Sequence, residues 1–105
     1  MFGNLLQAQT DSLSKKHQDS LQMELLREEG FNNNQWTTQE RRAAFEKAEA
    51  LAIKYAYKKR QFFILGDAGD YYTSIDRLEE AIICYKKAIQ LKEQNDLAIR
   101  RHIYA

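Results

Sequence analysis

Asp67 and Asp70 stand three residues apart in GDAGDYYTS, residues 66–74. Two chemistries use carboxylates so spaced. Acid/base catalysis needs surroundings that split the two pKa values. Calcium binding needs alternating oxygen ligands and a closing glutamate. The flanking residues offer no nucleophile, no glycine nest and no such alternation. Cys84 is the only cysteine, and His17 and His102 lie at opposite ends of the chain, so no zinc-ligand spacing exists. No catalytic residue, metal or cofactor is expected, and the chain is expected to be a non-enzyme. What the two aspartates do then depends on the element that carries them. Two glycines beside them suggest a loop, yet a loop over residues 60–74 would be long for a compact domain.

A second mixture of residue types is KYAYKKRQFF, residues 54–63. Lys54, Lys58, Lys59 and Arg60 beside Tyr55, Tyr57, Phe62 and Phe63 could grip single-stranded RNA by phosphate contact and stacking. The formal net charge of +1 gives the chain no field to draw a polyanion. The preferred reading is a turn between helices, with aromatics inward and charges outward. Nucleic acid is not an expected partner.

The chain of 105 residues suits one small domain, 30% charged and 44% hydrophobic, with no proline. Proline-free sequence tolerates long helices. No apolar run is long enough to span a bilayer, and the first residues lack a basic leader. The expected location is cytoplasmic, or extracytoplasmic if the true start lies upstream.

Helical spacing recurs along the chain. Leu13, His17, Leu21 and Leu25 mark a first helix over residues 10–29, capped by Thr10 or Asp11 and stopped at Gly30. Thr37 and Glu40 have capping-box spacing before a second helix whose face is Ala44, Ala48, Leu51, Ala52 and Tyr55. Phe62, Leu65, Gly69, Tyr71 and Tyr72 fit a helical face in which Gly69 is a contact without a side chain. Asp76 and Glu79 suggest another cap before a stripe of Leu78, Ala81, Ile82, Tyr85, Ala88 and Ile89. Residues 94–96 suggest a turn, with Asp96 capping a last helix over residues 97–105. Leu97, Ile99, Ile103 and Tyr104 are its apolar positions.

Leu65, Ala68, Gly69 and Tyr72, followed by Ala81, Tyr85, Ala88, Ile89 and Leu91, resemble the tetratricopeptide (TPR) repeat. That repeat is a helix–turn–helix of about 34 residues with a large–small–Gly–Tyr pattern and an Ala-x3-aromatic signature. The match covers residues 62–95. Leu65 replaces the usual Trp, Ala68 replaces Leu, and Glu93 stands near the usual terminal Pro. Shifted by 40 residues, Phe45, Ala48 and Leu51 fall on Tyr85, Ala88 and Leu91. That spacing is similar to bacterial TPR regulators with longer repeats. The resemblance implies an all-α fold, a short alpha-solenoid of antiparallel helix pairs in a single domain over residues 1–105. Residues 12–57 form a degenerate repeat, 60–95 the well-matched one, and 97–105 a capping or partial-repeat helix.

The resemblance further implies a protein–protein interaction module. Phe63, Gly66, Asp67, Asp70, Thr73 and Ser74 would face a groove that holds a peptide or helix of a partner. Aspartates stand where chaperone-tail binders of the family carry cations, so a basic or amide-rich segment is expected. Two alternatives stay open. One is a regulatory or sensory segment that self-associates through its C-terminal helix as a homodimer. The other, more distant, is RNA binding through Lys58, Lys59 and Arg60.

Overall fold

The computed structural model describes the backbone from Phe2 to Tyr104 and the side chains of residues 14–97. The described residues form four helices: α1 (Phe2–Asn32), α2 (Thr38–Lys54), α3 (Lys58–Ser74) and α4 (Leu78–Tyr104). α1 packs on α2, α2 on α3 and α3 on α4, and α1 also touches α3. Among the described residues α2 reaches α4 only at its side, where the Arg42 guanidinium donates to the Glu80 carboxylate. The result is a slab 14 Å thick, the depth of two helix layers about 8–10 Å apart.

α2 starts as its sequence dictates. The Thr37 hydroxyl accepts from the Glu40 backbone N–H, and the Glu40 carboxylate accepts from the Thr37 N–H. Ala44, Phe45, Ala48 and Ala52 are buried along it. Two of the three turns share one device. In the first, the Tyr57 N–H reaches the Ala52 carbonyl and the Ala56 N–H reaches that of Ile53. In the second, Arg77 N–H reaches Tyr72 and Asp76 N–H reaches Thr73. This is the double bond of a Schellman cap. Ala56 (φ 56°) and Asp76 (φ 62°) occupy the left-handed position in place of glycine. Asp76 therefore ends α3; it does not cap α4, which starts after Arg77.

GDAGDYYTS is helical. A Cβ on Gly69 would stand 2.6 Å from Cε1 of Tyr85, so the ring lies directly over the bare backbone of α3. Gly30 repeats the arrangement under Phe45, whose ring atoms lie 3.3 Å from the corresponding point. Gly30 is not the expected stop. It keeps negative φ, and α1 continues through it to Asn32. Arg41 closes that end instead, donating Nε to the Gly30 carbonyl (2.8 Å) and Nη2 to that of Phe31.

The buried face of α1 also differs from the expected one. Leu21 and Leu25 are 60% and 56% exposed and His17 is exposed, while Asp19, Met23 and Gly30 are buried. Met23 and Gly30 lie seven residues apart on one side of α1, and Gly30 meets the Phe45 ring there in close contact. α1 already begins at Phe2, so Thr10 and Asp11 lie inside it and do not start it; the side chain of Leu13 lies outside the described residues. α4 passes through Gln94–Asp96 without a break. Capping preference alone does not stop a helix that has no glycine, proline or competing contact there. Ile99, Ile103 and Tyr104 belong to this continuous helix, and their side chains lie outside the described residues.

The two glycines of α3 make opposite predictions. Nothing lies within 4 Å of a Cβ on Gly66, so Gly66→Ala is expected to stabilise by about 1 kcal/mol through helix propensity. Gly69→Ala must displace a ring whose hydroxyl is tied to Asp70, and a net loss of about 1–2 kcal/mol is expected from overpacking. Urea midpoints of both variants check the pair; equal shifts would contradict the close approach.

Candidate functional site

α3 carries all six groove residues, and its neighbours engage several of them. Asp67 accepts from Arg27 Nε of α1 at 2.6 Å. The Arg27 guanidinium also lies 5.6 Å from the centroid of Phe63, which is 42% exposed. Asp70 is exposed and accepts from the Tyr85 hydroxyl of α4 at 2.5 Å. The two aspartates thus serve different helix contacts and do not converge on one point. The Thr73 hydroxyl donates back to the Gly69 carbonyl and the Ser74 hydroxyl to that of Tyr71. Beside Phe63, Gly66 leaves a notch in the surface of α3. The face therefore offers an exposed ring, a gap and one exposed carboxylate, and is less acidic than the sequence alone implied.

The basic–aromatic stretch folds over the start of α3, where its two tyrosines are partly covered and Phe63 stays exposed. Tyr55 and Tyr57 stack with centroids 5.7 Å apart. Lys16 lies 5.9 Å from each centroid, and Arg60 lies 4.7 Å from that of Tyr57. Phe62 and Phe63 meet edge to face. Tyr55 and Tyr57, packed against cations and each other, leave little face for a base to stack on. Arg60 is also turned toward α1, where it bonds Ser20 and lies 3.9 Å from Glu24.

Sequence reasoning missed the polar pins between helices. Asp19 is 5% exposed and accepts from the Tyr55 hydroxyl at 2.5 Å, with Lys54 Nζ at 3.4 Å. That hydroxyl, first among its influences, holds the Asp19 carboxyl below its ordinary 3.8 against the opposing effect of burial; Lys15 and Lys54 add to the lowering. Arg41 places its guanidinium 3.8 Å from the Tyr71 centroid. No motif marks either group. The one sequence signal was a polar residue in phase with buried neighbours, as Asp19 is with Met23. Cys84 is half-buried, and burial pushes its thiol pKa up, away from a reactive thiolate.

Two further surfaces stand out. On α4, Leu78, Ile82 and Ile89 are 53%, 51% and 54% exposed. The residues 40 positions earlier, Thr38, Arg42 and Glu49, are the ones through which α2 meets Tyr71, Tyr72 and Gln61 of α3. The face that α2 uses to seat a helix is thus present on α4, apolar and bare. Between the start of α3 and the later turns of α4 lies an open cleft of about 460 Å³. Lys58, Lys59, Phe62 and Phe63 line it from α3, and Leu91, Lys92, Asn95 and Asp96 from α4. The flagged stretch supplied half of this cleft; the other half needed the phase of α4.

No protein-family model matches the chain, nor does any curated protein or solved structure. The TPR resemblance rests on the motif residues themselves. No helix among the described residues is long and apolar enough to cross a membrane.

The Asp19–Tyr55 contact makes a pH-dependent prediction. The folded protein binds the Asp19 proton more weakly than the unfolded chain does. The contribution is present above the ordinary carboxylate range and is lost as pH falls through the depressed folded value. Tyr55→Phe should lower the urea midpoint at pH 7, and the gap from wild type should shrink on acidification to about pH 2. A gap that stays constant would show that the contact is not the linked one.

Proposed function

We propose that this chain is a non-catalytic protein-interaction module, a short TPR-like solenoid that holds a peptide or helix of a partner on the face shared by α1 and α3. The observation that carries the reading is the exposed Phe63 ring beside the Gly66 notch, an apolar foothold with a gap for a side chain. Backbone packing of α1 on α3, where α2 and α4 are joined only by the Arg42–Glu80 ion pair among the described residues, supports curvature toward that face. The glycine-under-ring contacts at Gly30/Phe45 and Gly69/Tyr85 support two equivalent helix pairs. Asp70 is the exposed acid of the face, so a basic residue in the partner is the expected neighbour.

The bare row of Leu78, Ile82 and Ile89 favours a second reading, self-association through α4 in a regulatory or sensory chain. Apolar rows of this kind are usual at helix–helix interfaces.

Asp70→Lys should abolish binding of a basic peptide partner with helicity intact, while Tyr85→Phe, which removes only the hydrogen bond to Asp70, should leave it. Equal loss in both variants would reassign Asp70 to the α3–α4 contact. Sedimentation at micromolar and tenfold higher protein tests the second reading; mass independent of concentration would remove it.

A further inference from the structure

The cleft between α3 and α4 has a charge pattern that the α1/α3 face lacks. Its floor is apolar, made by Phe62, Phe63 and Leu91, and its rim carries Lys58, Lys59 and Lys92. Among the described residues these three lysines form no salt bridge, as Lys16, Lys47, Lys86 and Lys87 do not, but here three such cations line one cleft. The opposing charge in the lining is Asp96 alone. Three cations around an apolar floor, without a salt bridge among the described residues, repel one another in the folded chain. An incoming segment that brings carboxylates to the rim and a bulky apolar side chain to the floor satisfies both.

We propose that this cleft docks an acidic segment of a partner protein, one that alternates carboxylates with leucine or phenylalanine. It rests on the reading of the chain as an interaction module; the cleft shares Phe63 with the Gly66 face and differs from it by Lys58, Lys59, Leu91 and Lys92. Single-stranded RNA is the competing polyanion. The geometry disfavours it, because Tyr55 and Tyr57 are stacked and covered by Lys16 and Arg60, and the floor rings meet edge to face. A peptide needs only a pocket for one side chain, and the rim lysines set its polarity.

The test uses three labelled probes with the full chain, read by fluorescence anisotropy: a twelve-residue peptide of glutamates with leucine or phenylalanine at every third or fourth position, the same peptide with lysines for glutamates, and a twelve-residue oligouridylate. The glutamate peptide is expected to bind, the lysine peptide to bind at least about tenfold more weakly, and the affinity to fall with added salt as rim charges are screened. The double variant Lys58→Glu/Lys92→Glu should lose at least about tenfold, while Lys86→Glu, a charge change on α4 outside the cleft, should not. Circular dichroism confirms that both variants stay helical. Equal affinity of wild type and double variant, tighter binding of the oligouridylate, or no binding of the glutamate peptide would each overturn the proposal. Loss of this binding alone, with the Asp70-dependent peptide or concentration-dependent mass retained, would leave the module reading standing. Loss of all three would sink both.

Discussion

An aromatic ring laid on a glycine is the contact on which each half of the molecule depends. Phe45 of α2 lies on Gly30 of α1, and Tyr85 of α4 lies on Gly69 of α3. Each glycine gives up about 1 kcal/mol of helix propensity so that a large ring can reach the backbone of its neighbour. The burial of Ala44, Ala48 and Ala52 on α2, and of Ala81 and Ala88 on α4, follows from the same closeness. Small side chains are what fits between helices drawn together by a ring with no Cβ in its way.

How legible this was depended on whether a signal was local. Thr37 and Glu40 announced their cap, because a capping box is complete within four residues. Gly69 could be read as a helical contact because large and small residues alternate correctly around it. Gly30 was misread by the same local logic. A glycine after a polar run looks like a helix stop, and only Phe45, distant in sequence, makes it a helical contact. The rotation of α1 followed that error, since Leu21 and Leu25 are the obvious apolar residues and Met23 is the one that is buried. Asp76 failed for a related reason. Aspartate serves equally at an N-cap and in the left-handed position that ends a helix, and the Arg77–Tyr72 bond decides which. Of the candidate face, the residues were legible and their partners were not, because Arg27 and Tyr85 come from other helices.

Polar and cationic groups do much of the joining between elements. Arg41 closes α1 while lying on Tyr71, Arg27 bridges Asp67 and Phe63, and Tyr55 pins Asp19. These groups explain how a chain 30% charged holds a thin core. They also sharpen the meaning of what is left over. Most arginines beside the core are committed internally, so lysines without a salt bridge among the described residues and the half-exposed isoleucines of α4 are the surfaces with capacity to spare.

The pattern in which helices touch also governs how the fold comes apart. Most packing is between successive helices, with the α1–α3 contact and the Arg42–Glu80 bridge from α2 to α4 beside it, so much of the cohesion passes from each helix to the next. Such chains zip from local nuclei, with little entropy spent on closing long loops. They can also fray at one end while the other stays intact. A ligand clamped between the last two rods would brace the terminus that has fewest supports, making occupancy and order of that end one thermodynamic event.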